Sequence, residues 1–476
     1  MTADADQTAR SSALFPKAVD RRRLDDALTH QLAEAHARVS AGSVTPMVDL
    51  NRFQAELAAF DFKAGQPLDA SLAWVMVQLE NGIVHLTNPR YFGLFNPAPT
   101  FPAQCADRIA AVFNPQLATA TTSPVAVAVE AHVIAMVAAR AGLPPTAAGH
   151  FTAGGSEANG TALACALTRA RPDFGTEGVR AFPGRPLFYV SKESHLAWLK
   201  IAHLAGIGRA AVRLVDTNGH GQMDPTALAT AIATDQAEGN VPVMVAATAG
   251  TTNAGMIDPL HACAEIARAA DVWFHVDAAW GGALIASERS AVILAGIEAA
   301  DSITIDAHKW FATTMGCGMF ITRHANLLSA TFRVSTSYMP SNNAHVDPYV
   351  TTAQWSRRFL GLRLFLSLAT AGWDGYAEHV ERARSLTDLL KGELLERGWE
   401  IVNNSELAVL CFLPPARSAT PEAIVRSVVS SGRAWISKAV YEGQDVIRAC
   451  VTHGEATKSD VAALVEALEA AAVATT

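Results

Sequence analysis

The chain has 476 residues, half of them hydrophobic and 17% charged, which excludes global disorder and supplies material for a large buried core. Lysine and arginine total 37 against 45 acidic residues, a formal charge of −8 without the basic excess of a nucleic-acid footprint. At roughly 150 residues per domain, the length suggests about three domains.

Six scattered cysteines fit neither a disulfide scaffold nor a zinc knuckle, and residues 1–15 lack a basic-then-apolar leader. The longest apolar stretch, 125–143, is broken by Glu130, His132 and Arg140, so it reads as a buried helix and not a membrane span. A reduced cytoplasmic protein is the expectation, with neither membrane nor nucleic acid as a partner. Only eight lysines are present, so lysine chemistry has few candidates.

Taken in chain order, residues 24–39 and 50–60 have amphipathic helical spacing, and 72–86 is apolar on more than one face. Residues 88–102 form a loop too apolar for a solvated linker, which suits a pocket wall or an interface. From about 125 to 323, short apolar runs alternate with helical stretches. Strands are expected at 187–190, 211–215, 243–247, 272–276, 302–305 and 319–322, with helices at 224–237 and 259–270 among them. That alternation predicts a mostly parallel sheet covered on both faces, with its ligand crevice at the carboxyl ends of the strands. Past Trp373 a helix (376–397), a strand (408–412), a helix (421–430), a strand (446–451) and an alanine-rich helix read as a smaller α+β domain. The expected division is 1–100, a helical segment; 101–372, a large domain; and 373–476, a small one.

Three segments stand out after strands. Thr152-Ala153-Gly154-Gly155-Ser156-Glu157-Ala158-Asn159 runs into a helical stretch, an arrangement that lets backbone N–H groups approach an anion; an ordinary tight turn has the same pattern. Asp277, in HVDAAWGG, ends an apolar strand, where a carboxylate is costly to bury alone. It pairs with a protonated ring nitrogen, binds a metal, or caps the next segment. Lys309, in DAHKW, follows another buried strand, where desolvation makes an amine nucleophilic. An anion cradle, then an Asp, then a His-Lys pair together meet the needs of a pyridoxal 5'-phosphate site.

In that combination the chain resembles the fold-type-I pyridoxal-phosphate enzymes of the aspartate aminotransferase superfamily, and within them the group II amino-acid decarboxylases. The resemblance spans about residue 72 to the C-terminus and implies an α/β fold with a mostly parallel, helix-covered central sheet. It implies that Gly154, Gly155 and Ser156 hold the phosphate, and that His195, in SKESH, stacks on the cofactor ring. Thr248, in ATAGTT, lies near the cofactor; HVDAAWGG supplies Asp277 and Ala279; DAHKW supplies His308 and Lys309. Tyr338, in TFRVSTSYMP, matches the family's tyrosine that reprotonates the carbanion left by CO2, and Arg448 matches an arginine near the site.

Substrate contacts are expected from Phe95 and Asn96 on one wall (91–98), from Gln116 on a second (114–120), and from Arg448. Leu94, Asn96 and Pro97 stand where aromatic amino-acid decarboxylases have more aromatic and hydroxyl character, and the second wall lacks their aromatic clamp. A smaller or more polar amino acid therefore fits as well as an aromatic one. The implied activity is decarboxylation of an L-amino acid by a homodimer with its site at the subunit interface. Other reactions on the same scaffold (amino transfer, retro-aldol cleavage, oxygen-consuming aldehyde formation) are the rivals, with a catalytically silent cofactor-binding protein behind them. No resident metal is implied.

Overall fold

The computed structural model describes residues 13–334, 346–415 and 419–474. Tyr338 therefore lies outside the described residues. Helices of eight residues or more open the chain: α1 (Ala18–Ala41), α2 (Leu50–Ala58), α3 (Leu68–Gly82), α4 (Phe101–Phe113) and α5 (Pro124–Arg140). The expected 125–143 stretch is α5, which buries Val133, Ile134 and Val137. In contrast, α3 buries no residue and exposes Val75, Val77 and Leu79. On α4, Phe101, Ile109, Val112 and Phe113 are exposed as well, so the helical N-terminal region carries an uncovered apolar surface.

The central sheet comprises β1 (Ala148–Thr152), β2 (Pro186–Ser191), β3 (Val212–Val215), β4 (Val241–Thr248), β5 (Trp273–Asp277), β6 (Ser302–Asp306) and β7 (Gly318–Thr322). Their order is β1-β7-β6-β5-β4-β2-β3, all parallel except β7, which runs antiparallel to both neighbours. Between them come α6 (Gly155–Ala170), α7 (Ala197–Leu204), α8 (Pro225–Ala237) and α9 (Leu260–Ala269), and α10 (Ala325–Phe332) follows β7. Fully buried strands such as β2, β5 and β6 are the near-continuous apolar runs that a parallel sheet requires. The carboxyl ends of five parallel strands meet one edge with a buried polar side chain each: Thr152, Ser191, Thr248, Asp277 and Asp306.

Beyond the sheet, α11 (Gly361–Glu396) spans 36 residues and packs on α4 and α5. It begins well before the expected residue 376 and bends at Gly372, where φ is +66°. The 372/373 boundary expected from the sequence falls at that bend. A second sheet of β8 (Glu400–Ile401), β9 (Val409–Leu413), β10 (Ser437–Tyr441) and β11 (Gln444–Cys450) is antiparallel, in the order β10-β11-β9-β8. It packs with α12 (Pro421–Ser431) and α13 (Lys458–Ala474) around Trp399, Phe412, Ile447 and Leu468. The 88–102 loop joins the two parts. Phe92 bonds Trp435 and Cys450 through its backbone, and the Thr100 N–H reaches the Ala312 carbonyl at 2.7 Å.

Strand β1 escapes the apolar-run criterion because, of its three buried residues His150, Phe151 and Thr152, Phe151 alone is apolar. His150 is buried against Phe320 with no hydrogen-bond partner on either ring nitrogen among the described residues. Burial, aided by Arg357, pushes its pKa down to about 3. The folded state therefore holds it neutral, and its contribution is intact above the ordinary value of 6.5 and lost as pH falls toward 3. The melting-temperature difference between His150→Leu and the wild-type chain is thus expected to grow in favour of the variant from pH 7 to pH 4.5. A pH-independent difference in thermal melts would contradict this account.

Candidate active site

After β1 the chain turns through Ala153-Gly154 into α6. Gly154 has φ +154°, and a Cβ there would lie 3.2 Å from His308 Cε1. A Cβ on Gly155 would lie 2.9 Å from Asp306 Oδ2 and 3.4 Å from the Ala279 Cβ. Bare backbone thus faces a cavity of about 390 Å³. The first N–H groups of a helix have no partner within it and carry partial positive charge, so this end of α6 attracts an anion. Glu157 folds back to accept the Ala153 N–H at 2.7 Å and is gripped by the Gln354 amide at 2.7 and 2.9 Å, which fixes the turn.

Asp277 ends β5 and is 5% exposed. Its Oδ1 accepts the Ala279 N–H at 3.1 Å and its Oδ2 accepts Asn159 Nδ2 at 2.8 Å. Asp306, at the end of the adjacent β6, is 3% exposed; Oδ2 lies 3.1 Å from Lys309 Nζ, and Oδ1 has no hydrogen-bond partner among the described residues. His308 is anchored through Nδ1, 3.1 Å from the Cys317 N–H and 3.0 Å from its carbonyl, the tautomer deciding which bond forms.

His195 faces the same cavity, its Nδ1 accepting the Ala197 N–H at 3.0 Å. Burial by the surrounding protein lowers its pKa, outweighing the opposing pull of Asp277. Thr248 lies 2.8 Å from Ser194 through its hydroxyl, while its N–H donates to Asp258 at 2.7 Å. Asp258 is buried; desolvation raises its pKa to about 6 despite N–H bonds from Met223 and Thr248.

The fold brings Gly154, Gly155, Ser156, His195, Thr248, Asp277, Ala279, His308, Lys309 and Phe95 to one cavity. Asn96 stands beside it, with Nδ2 3.3 Å from the His308 carbonyl and 3.1 Å from Met315 Sδ. Gln116 is turned to Ser356 at 2.8 Å and does not line the cavity. Arg448 is buried behind Phe95, its Cζ 4.5 Å from the ring centroid. Its Nη1 reaches the Gly93 carbonyl and Ser437 Oγ, while Nε and Nη2 have no partner among the described residues. The sequence reading passed over Asp306 and Asn159. The strand-end argument that singled out Asp277 applies equally to Asp306, and Asn159 is one helical turn beyond Gly155, on the same face.

Among the described residues, no helix is long and apolar enough to cross a membrane, and no cluster of three or more metal-binding side chains occurs. A family model, the pyridoxal-dependent decarboxylase conserved domain, matches residues 66–413. Mouse cysteine sulfinic acid decarboxylase is 35% identical over 339 residues, covering 69% of this chain and 68% of its own. The aromatic-L-amino-acid decarboxylase of Bacillus atrophaeus is 27% identical over 82% of this chain and 83% of its own. The crystal structure of Oryza sativa TDC with PLP and tryptamine superposes with a TM-score of 0.90 at 25% identity, covering 96% of this chain and 99% of that one. Mouse CSAD in apo form gives 0.88 at 26% identity, covering 95% and 99%.

A methyl group in the cradle tests its role directly. Gly155→Ala is expected to weaken pyridoxal-phosphate binding at least ~10-fold in an absorbance titration, because the added carbon displaces either the ligand or Asp306. Unchanged affinity with an unchanged circular-dichroism spectrum would show that the turn is not the anion site.

Proposed function

Because the chain belongs to the pyridoxal-dependent decarboxylase family and acts by pyridoxal-phosphate-dependent amino-acid decarboxylation, we propose which of its residues carry that reaction and what substrate they admit. The residues present fit the cofactor: side-chain-free backbone for the phosphate, a buried carboxylate for the ring nitrogen, and an amine for the aldehyde. The carrying observation is that Lys309, Asp277 and the Gly154-Gly155 cradle line one cavity. When bound, the cofactor supplies an electron sink for the bond that breaks at the substrate Cα.

In this reading the backbone of Gly154 and Gly155 and the Ser156 hydroxyl bind the phosphate, and His308 lies alongside. Asp277 keeps a proton on the ring nitrogen, and Ala279 leaves room for the ring. His195 would stack on the cofactor ring and restrict its tilt. Thr248, hydrogen-bonded to Ser194, braces the His195 segment from the next strand end. Lys309 Nζ holds the cofactor and later receives or gives a proton, with Asp306 Oδ2 as its ionic partner. Tyr338 returns a proton to the substrate carbon after CO2 departs.

Arg448 is the anchor for the substrate carboxylate. Its guanidinium lies over the face of Phe95, which lines the cavity, and two of its donors have no partner among the described residues. Phe95 and Asn96 form the near wall. That wall suits a small or polar amino acid. The parts 1–100, 101–372 and 373–476 cooperate around the shared site. The exposed apolar helices α3 and α4 pack against a second copy, making a homodimer whose sites lie at the interface, in the cytoplasm.

A panel of L-amino acids assayed for CO2, amine, hydrogen peroxide and keto acid tests the reading. One amino acid is expected to release CO2 and amine in equal amounts. Lys309→Ala is expected to abolish borohydride fixation of the cofactor, and Tyr338→Phe to slow turnover by about 10²–10⁴-fold. Arg448→Met is expected to raise KM by about 10- to 100-fold with a smaller change in kcat. Borohydride fixation surviving in Lys309→Ala would remove the central assignment.

A further inference from the structure

Behind Asp277 lies a chain of buried hydrogen bonds that the reaction itself does not touch. Trp273 Nε1 donates to Ser302 Oγ at 2.9 Å, and Ser302 Oγ lies 2.8 Å from His275 Nδ1. His275 Nε2 lies 3.0 Å from Asn159 Oδ1 and 3.4 Å from Thr304 Oγ1, and Asn159 Nδ2 donates to Asp277 Oδ2 at 2.8 Å. Trp273, His275 and Ser302 are fully buried, and Asn159 is 3% exposed.

The directions of these bonds are determined from both ends. An ionised carboxylate only accepts, so Asn159 must turn its NH2 to Asp277 and its carbonyl oxygen to His275. That oxygen needs a donor, which makes Nε2 the protonated nitrogen. An indole N–H only donates, so Ser302 receives Trp273 and is free to pass its own proton to His275 Nδ1. The opposite tautomer, with Nδ1–H directed at Ser302, would set Nε2 and Asn159 Oδ1 face to face as two acceptors. Burial lowers the His275 pKa to about 4, so no positive charge enters the chain near neutral pH.

We infer that Asn159 and His275 are positioning residues: a neutral, one-directional relay from Trp273 through Ser302, His275 and Asn159 orients the Asp277 carboxylate toward the cofactor's ring nitrogen without quenching its charge. The inference rests on the assignment of Asp277 made above. Without His275 as donor, the Asn159 amide is free to present its oxygen to Asp277, and the carboxylate loses the bond that fixes its plane.

The test has two arms on the full-length chain. In ¹⁵N-histidine-labelled protein without cofactor, the His275 resonance, assigned by its loss in His275→Gln, is expected to show the Nε2–H tautomer; the Nδ1–H form would overturn the relay. In the second arm, His275→Leu is expected to raise the pyridoxal-phosphate dissociation constant by about 10- to 100-fold and to shift the bound cofactor's visible absorption. His275→Gln keeps a donor toward Asn159 and is expected to recover most of that loss. Equal impairment of the Gln and Leu variants would reduce His275 to a packing residue and overturn the inference. Asp277→Ala separates the two levels: if it is impaired while His275→Leu is not, the relay alone fails, and if neither is impaired, the Asp277 assignment fails beneath it.

Discussion

The site depends on keeping carboxylates charged where water is scarce. Asp277 and Asp306 end neighbouring parallel strands, and Asp258 supports the strand end beside them. Taking a carboxylate out of water costs several kcal/mol unless donors replace the lost solvation. Each of the three is compensated differently. Asp277 receives two neutral amide donors, one per oxygen, which spread its charge without cancelling it. Asp258 receives two backbone N–H groups that do not offset its burial, and its pKa rises to about 6. Asp306 has a cation, Lys309, on one oxygen and no partner on the other among the described residues.

The architecture follows from where such groups are tolerable. Along a parallel strand covered on both faces, ladder bonds and apolar neighbours leave no room for a charged side chain. At the carboxyl edge the chain leaves the sheet, and helix N-termini and loop N–H groups become available as donors. Five of the parallel strands therefore close on a buried polar residue at that edge: Thr152, Ser191, Thr248, Asp277 and Asp306. Helix α6 starts at that edge, so Gly155 meets both Asp306 and Ala279. One turn on, the same helix sends Asn159 to Asp277, so it contributes both to the glycine turn and to the Asp277 side of the cavity.

This arrangement explains what could be read from the amino acids and what could not. Apolar runs identified β2, β4, β5 and β6 because each is buried on both faces, and the polar residue closing a run identified Asp277. β1 was invisible to that criterion, since Gly149 and His150 interrupt it and its pairing with β7 is made by residues far along the chain. The early start of α11 was equally hidden, because Gly372 breaks the helical pattern midway and residues 361–371 are held by α4 and α5. Asn159 and Gln116 mark the limit for side chains. Nothing local announces that one amide turns inward to a carboxylate and the other outward to Ser356. Those directions are set by partners more than a hundred residues away.

Arg448 shows how a residue's energetic deficit points to its use. Arg357 is buried to a similar degree, but it is paired with Glu130, whose other oxygen takes the Gly361 N–H. Among the described residues, Arg448 has a carbonyl and a hydroxyl for hydrogen-bond partners, and a ring face beneath it. A guanidinium left so poorly compensated destabilises the fold unless a ligand completes it. An α-carboxylate is common to every amino acid, so in the role proposed for it Arg448 would carry no information about the side chain. Discrimination then falls to the near wall. Asn96 has its amide committed to the His308 carbonyl and to Met315, and Phe95 is stacked on Trp280. A wall of an aromatic face and a committed amide offers shape and one neutral polar edge, without a fixed counter-charge among the described residues, which supports the small or polar substrate proposed.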